Sequence, residues 1–135
     1  MLRIYTLCLA GIVGLGLGAA GCGSGGHGSG YFNVSWSFSG PGSVPTTCTA
    51  AGATEVDLDV RDVRTGETYS QTFYCTDYLD TSGPLPVDDY TVALSAYESP
   101  TATVPVSSTD FNGAVYSIYA GTITPLPAVT FLLQH

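Results

Sequence analysis

The chain has 135 residues, a formal net charge of −8 and 44% hydrophobic residues, which suggests a single domain with a core of its own. It contains no lysine, and after residue 21 only Arg61 and Arg64 stand against 11 carboxylates. A nucleic-acid groove needs several cations to neutralise phosphates, so that class is excluded. Direct attraction to an anionic membrane surface is disfavoured for the same reason, while the charge favours solubility and mutual repulsion.

The amino-terminal residues have the layout of an export signal. Arg3 is followed by an apolar run from Ile4 to about Leu17, closed by the small residues Gly18, Ala19, Ala20 and Gly21. The run is short and glycine-diluted for a bilayer span of about 20 residues. Cys22 comes next. The stretch Ala19-Ala20-Gly21-Cys22, with Leu17 before it, resembles the lipobox of bacterial lipoproteins. The resemblance implies cleavage before Cys22, a lipid on Cys22 and loss of Cys8 with the leader. Gly23 stands where an aspartate would favour inner-membrane retention in enteric bacteria, so the outer membrane is the expected location. Two other readings remain open: a retained membrane anchor, and ordinary cleavage that leaves Cys22 free or disulfide-bonded. Residues 22–30, rich in Gly and Ser, read as a flexible tether. Fully stretched, Gly23 to Gly30 reaches about 25–30 Å.

From Tyr31 the sequence alternates with a period of two. Phe32, Val34, Trp36 and Phe38 share one face, as in a half-buried strand. Gly40 to Ser43 ends it. Glu55 to Val63 alternates again, with Val56, Leu58, Val60 and Asp62 on one face and Asp57, Asp59, Arg61 and Val63 on the other. Arg64 to Glu67 reads as a hairpin turn with Gly66 suited to positive φ. Thr68 to Cys75 then returns antiparallel, alternating Tyr69, Gln71, Phe73 and Cys75 with Ser70, Thr72 and Tyr74. Asp77 to Asp89 reads as a polar loop. Tyr90 to Ala96 forms the next strand, a weaker extended piece spans Ala102 to Val106, and Ala114 to Thr124 is rich in β-formers. Val129 to Leu133 is a final strand. No helical periodicity appears. About seven short strands with regular turn signals predict an all-β fold, a small antiparallel β-sandwich over residues 31–135.

With Cys22 lipidated, Cys48 and Cys75 remain, and an exported chain lets them form a structural disulfide. A redox or metal role finds little support: there is no Cys-x-x-Cys, and the histidines are His27 and His135. Trp36, Cys48, Cys75 and the segment Leu85-Pro-Val-Asp-Asp-Tyr-Thr-Val-Ala-Leu94 resemble immunoglobulin-like or prealbumin-like sandwiches. The last segment is similar to the tyrosine-led edge of carboxypeptidase-regulatory-like domains, with Asp89 where that family has glycine. The resemblance implies architecture and not activity.

A histidine-dependent triad has no positioned base. Asp57 with Asp59, or Asp88 with Asp89, are the candidate carboxylate pairs for glycoside cleavage, but Asp57 and Asp59 also suit a solvated face that discourages aggregation. Asp77, Asp80, Asp88 and Asp89 are candidate calcium ligands without a calcium-loop spacing, and Asp side chains bonding their own turn explain them equally. Tyr74, Tyr78 and Tyr97 are candidates for outward-facing tyrosines that recognise sugar or protein. The expectation is a non-catalytic, cofactor-free, lipid-anchored envelope or surface protein that presents a β-sandwich for protein interaction, assembly or adhesion. The alternatives are a calcium- or glycan-binding module and a spacer lipoprotein without a specific ligand.

Overall fold

The computed structural model describes residues 28–133. The leader, Cys22, His27 and His135 lie outside the described residues. The domain is an all-β sandwich of two sheets, with 3-10 turns and no α-helix among the described residues.

The first sheet is organised on β1 (Ser29–Gly40), whose even-numbered side chains enter the core: Phe32, Val34, Trp36 and Phe38 are all buried. Backbone groups of alternate β1 residues face opposite edges. One edge takes β2 (Val44–Thr46), β5 (Leu79–Thr81) and β6 (Leu85–Pro86), all antiparallel. The other takes β10 (Ile123–Pro125) and β11 (Val129–Leu132), both parallel to β1. Short strands on both flanks therefore share one long spine.

The second sheet is antiparallel, in the order β4-β3-β7-β8, with β9 also on β7. Its members are β3 (Glu55–Asp62), β4 (Thr68–Tyr74), β7 (Asp89–Tyr97), β8 (Ser107–Thr109) and β9 (Val115–Ser117). Val56, Leu58, Val60, Phe73, Tyr90, Val92, Leu94 and Ala96 point inward and are buried, as the alternation requires. Aromatic pairs join the layers. Trp36 of β1 stacks on Phe73 of β4 at 5.8 Å, and Phe32 meets Tyr90 of β7 edge-on at 6.2 Å.

Several elements differ from the sequence reading. β1 starts at Ser29, within the stretch read as tether. Gly30 is pressed so tightly against the Tyr119 carbonyl and Ile118 that a Cβ there would collide with both. The Asp77–Asp89 loop contains β5 and β6. Both are too short to show a period, and they form because β1 offers an open edge. The Ala102–Val106 piece is irregular, since Pro100 and Pro105 lack ladder donors, and the strand falls at Ser107–Thr109 instead. The β-rich stretch 114–124 divides into β9 and β10, which belong to different sheets. The chain crosses between them at a turn containing Gly121, φ 69°.

Candidate functional site

Cys48 and Cys75 form a disulfide with their Cα atoms 5.9 Å apart. It ties the segment after β2 of the first sheet to the end of β4 of the second. Both residues are buried. Around it, the Trp36 indole N–H donates to the Cys75 carbonyl at 2.8 Å, and the Cys48 N–H donates to the Tyr78 hydroxyl at 3.2 Å. Tyr78 adopts positive φ, 58°. Its ring is thereby partly engaged in holding this corner. Tyr74 is fully open, at 74% exposure, and Tyr97 is half-buried.

The candidate calcium ligands do not converge. Asp77 and Asp80 border a surface depression with Glu55, and Asp80 Oδ1 accepts the Thr81 N–H at 2.7 Å. Asp88 instead pairs with Arg64 at 2.7 Å, and Asp89 accepts the Ser117 hydroxyl at 2.5 Å. No group of three His, Cys, Asp or Glu side chains placed to hold a metal occurs among the described residues. The aspartates act chiefly as local acceptors, as turn chemistry allows. The Arg64 guanidinium, followed by the Asp89 N–H, holds the Asp88 carboxyl below its usual range.

Asp62 is the buried member of this corner, 4% exposed. Its Oδ1 accepts the Arg64 and Thr65 N–H groups at 2.8 and 2.7 Å, which shapes the β3–β4 hairpin. Nearby, Tyr90 is fully buried and its hydroxyl donates to the Pro86 carbonyl at 2.8 Å. Burial, then the Tyr69 and Asp62 charges, pushes its pKa to about 12.

Asp57 and Asp59 stand on the outer face of the second sheet, as their spacing predicts. Each accepts a β4 hydroxyl, Asp57 from Thr72 at 2.7 Å and Asp59 from Ser70. That face, with Glu55, Arg61 and Asp89, is charged and hydroxylic.

The opposite face is built differently. From Tyr31 on, the odd-numbered residues of β1 lie on the outer side: Tyr31, Asn33, Ser35 and Ser37, with Ser39 covered at 7% exposure. Their strand partners are Ile123, Pro125, Thr81, Leu79, Thr130, Leu132 and Pro45. Directly paired residues share a face, so the surface formed by these residues carries no charge, while Ser29 at the start of β1 borders a depression lined by Asp62, Arg64, Glu67 and Asp88. Leu79, Ile123 and Leu132 are 56%, 58% and 62% exposed around the central row of Asn and Ser. The period-two pattern of β1 marked the row as outward. The apolar flanks were missed, because they lie on strands whose pairing with β1 is a tertiary fact.

No protein-family model matches the chain, and no curated protein matches it. A solved leucine-rich repeat protein from Bacteroides thetaiotaomicron is similar over 80% of this chain, at 17% identity and a TM-score of 0.49. The chain spans 14% of that protein's length. A likeness at that level carries no argument about this chain.

Proposed function

We propose that the chain is a non-catalytic envelope lipoprotein, anchored through Cys22, that presents its sandwich to a protein partner. The observation that carries this reading is the charge-free outer face of the β1 sheet. A chain with so many carboxylates leaves the patch built on Tyr31 to Ser39 without any, and sets three exposed aliphatic side chains on it. Single exposed aliphatics are ordinary, whereas several on one uncharged face suit association. The disulfide fits an exported chain.

The finer architectural reading, an immunoglobulin-like or prealbumin-like sandwich, is supported by Trp36 lying against the disulfide end. It is also supported by the Tyr90 hydroxyl reaching back to the backbone at Pro86.

The anchor is tested by labelling cells with radioactive palmitate. The wild-type chain takes up label and sediments with membranes, and Cys22→Ala does neither. Unlabelled wild-type chain would refute the anchor. Proteinase K treatment of intact cells then separates surface display, where a carboxy-terminal tag is lost, from a periplasmic position, where it is protected.

A further inference from the structure

Strand β4 ends its sheet, and its outer edge is open. The Asp62 N–H donates to the Glu67 carbonyl, and the Cys75 N–H donates to the Thr54 carbonyl, at 2.8 and 2.9 Å. Those two bonds fix the phase of the ladder. Tyr69, Gln71 and Phe73 turn their backbone groups toward β3, and Thr68, Ser70, Thr72 and Tyr74 turn theirs away. Among the described residues, the N–H and C=O groups of those four have no protein partner. Exposed edges are normally blunted by charge, proline, a bulge or shortness. β4 has none of these: it is seven residues long and reads Thr-Tyr-Ser-Gln-Thr-Phe-Tyr. The flanking strands of the first sheet have two to four residues.

We infer that the β4 edge receives an extended segment of a partner protein as an added strand, and that this segment alternates apolar and basic residues. The alternation follows from what lies on either side of the edge. Side chains of an added strand point alternately to the two faces. Those turned inward meet a pocket of about 170 Å³ between the layers, lined by Leu58, Val60, Tyr69 and Leu85. Gln71 accepts the Gly83 N–H and so holds the Ser82–Leu85 stretch as the pocket's floor. Those turned outward lie beside Ser70 and Thr72, whose hydroxyls bond Asp59 and Asp57 one strand further in, about 10 Å from the added strand and within reach of a long basic side chain. At the Tyr74 end, Glu55, Asp77 and Asp80 border a further depression. A second copy of this chain is a poor occupant, since its own net charge of −8 repels a like copy.

The inference extends the proposed function to a second surface and does not depend on the β1 face. Amide hydrogen exchange by NMR on the full chain in a non-ionic detergent tests it. The probe is a peptide as long as β4 that alternates lysine and valine, with a glutamate–valine peptide as control. The lysine peptide is expected to slow exchange at Thr68, Ser70, Thr72 and Tyr74 at least about tenfold, without slowing Asn33 or Ser35. Ser70→Pro removes an N–H that the β3 ladder does not use, so the strand persists and the slowing is lost. Thr72→Pro repeats the test at another outward N–H. No slowing at millimolar lysine peptide overturns the inference, as does equal slowing by the glutamate peptide. Concentration-dependent slowing without peptide overturns it in favour of self-pairing. Any of these results leaves contact through the β1 face standing.

Discussion

The Trp36 indole donates its N–H to the Cys75 carbonyl, 2.8 Å away and thirty-nine residues on in the chain. This bond keys the spine of one sheet to the disulfide end of the other, and the stacked Trp36–Phe73 pair fills the space beside it. Trp36→Phe leaves a buried carbonyl without its donor, which costs about 1–3 kcal/mol. Urea unfolding followed by circular dichroism is expected to show a lower midpoint with an unchanged slope.

Removing the disulfide acts on the unfolded chain. Closing a loop across a separation of 27 residues contributes about 3–4 kcal/mol in the chain-entropy account. A Cys48→Ala, Cys75→Ala variant is therefore expected to lose about that much stability, measured in the same assay. It is also expected to match the reduced wild-type chain.

Tyr90 sets an alkaline limit. Its pKa is raised in the fold to about 12, above the ordinary tyrosine value near 10. The folded state holds that proton more tightly, so the contribution is complete below pH 10 and is lost as pH rises toward 12. Tyr90→Phe should be less stable at neutral pH, because the Pro86 carbonyl loses its donor, and should show a flatter decline above pH 10. Thermal melts across that range check both parts.

Asp88 works in the opposite direction. Its pKa is lowered, first by Arg64, so its contribution is present above the ordinary carboxylate range and lost as pH falls through its own lowered value. Arg64→Ala is expected to return the Asp88 carboxyl toward that range in a carbon-13 NMR titration. The effect on stability is expected to be small, because exposed ion pairs contribute little.

Gly30 lies inside β1, in the stretch the sequence reads as tether. Gly30→Ala forces a methyl against the Tyr119 carbonyl and Ile118, and overpacking of this kind costs about 1–3 kcal/mol. A Gly40→Ala change, where a Cβ meets nothing nearer than the Val44 carbonyl at 3.8 Å, provides the comparison and should leave the melting temperature nearly unchanged.

The long strands were legible because their periodicity is carried by their own residues. Phe32 to Phe38, Val56 to Val60 and Tyr90 to Ala96 each alternate cleanly, and each buries the expected face. The hairpin at Gly66 and the Cys48–Cys75 pairing were legible from local chemistry. Elements that exist only through a partner were not. β5, β6 and β10 have two or three residues each and are strands because β1 lies beside them. The final strand, Val129 to Leu132, was legible as a strand, but its parallel pairing with β1 leaves no mark in the sequence. The acidic row at Asp57 and Asp59 was readable as an outer face. The uncharged face opposite was not, since it is assembled from residues as distant as Ser35, Leu79 and Leu132.

The most direct test of the proposed contact is site-specific photo-crosslinking in intact cells that carry the wild-type Cys22. A photoreactive residue replaces Leu79, Leu132 or, as a control on the opposite outer face, Ala93. The account predicts one discrete protein adduct from Leu79 and Leu132, and none from Ala93. No adduct from the β1 face, or equal adducts from Ala93, would contradict it.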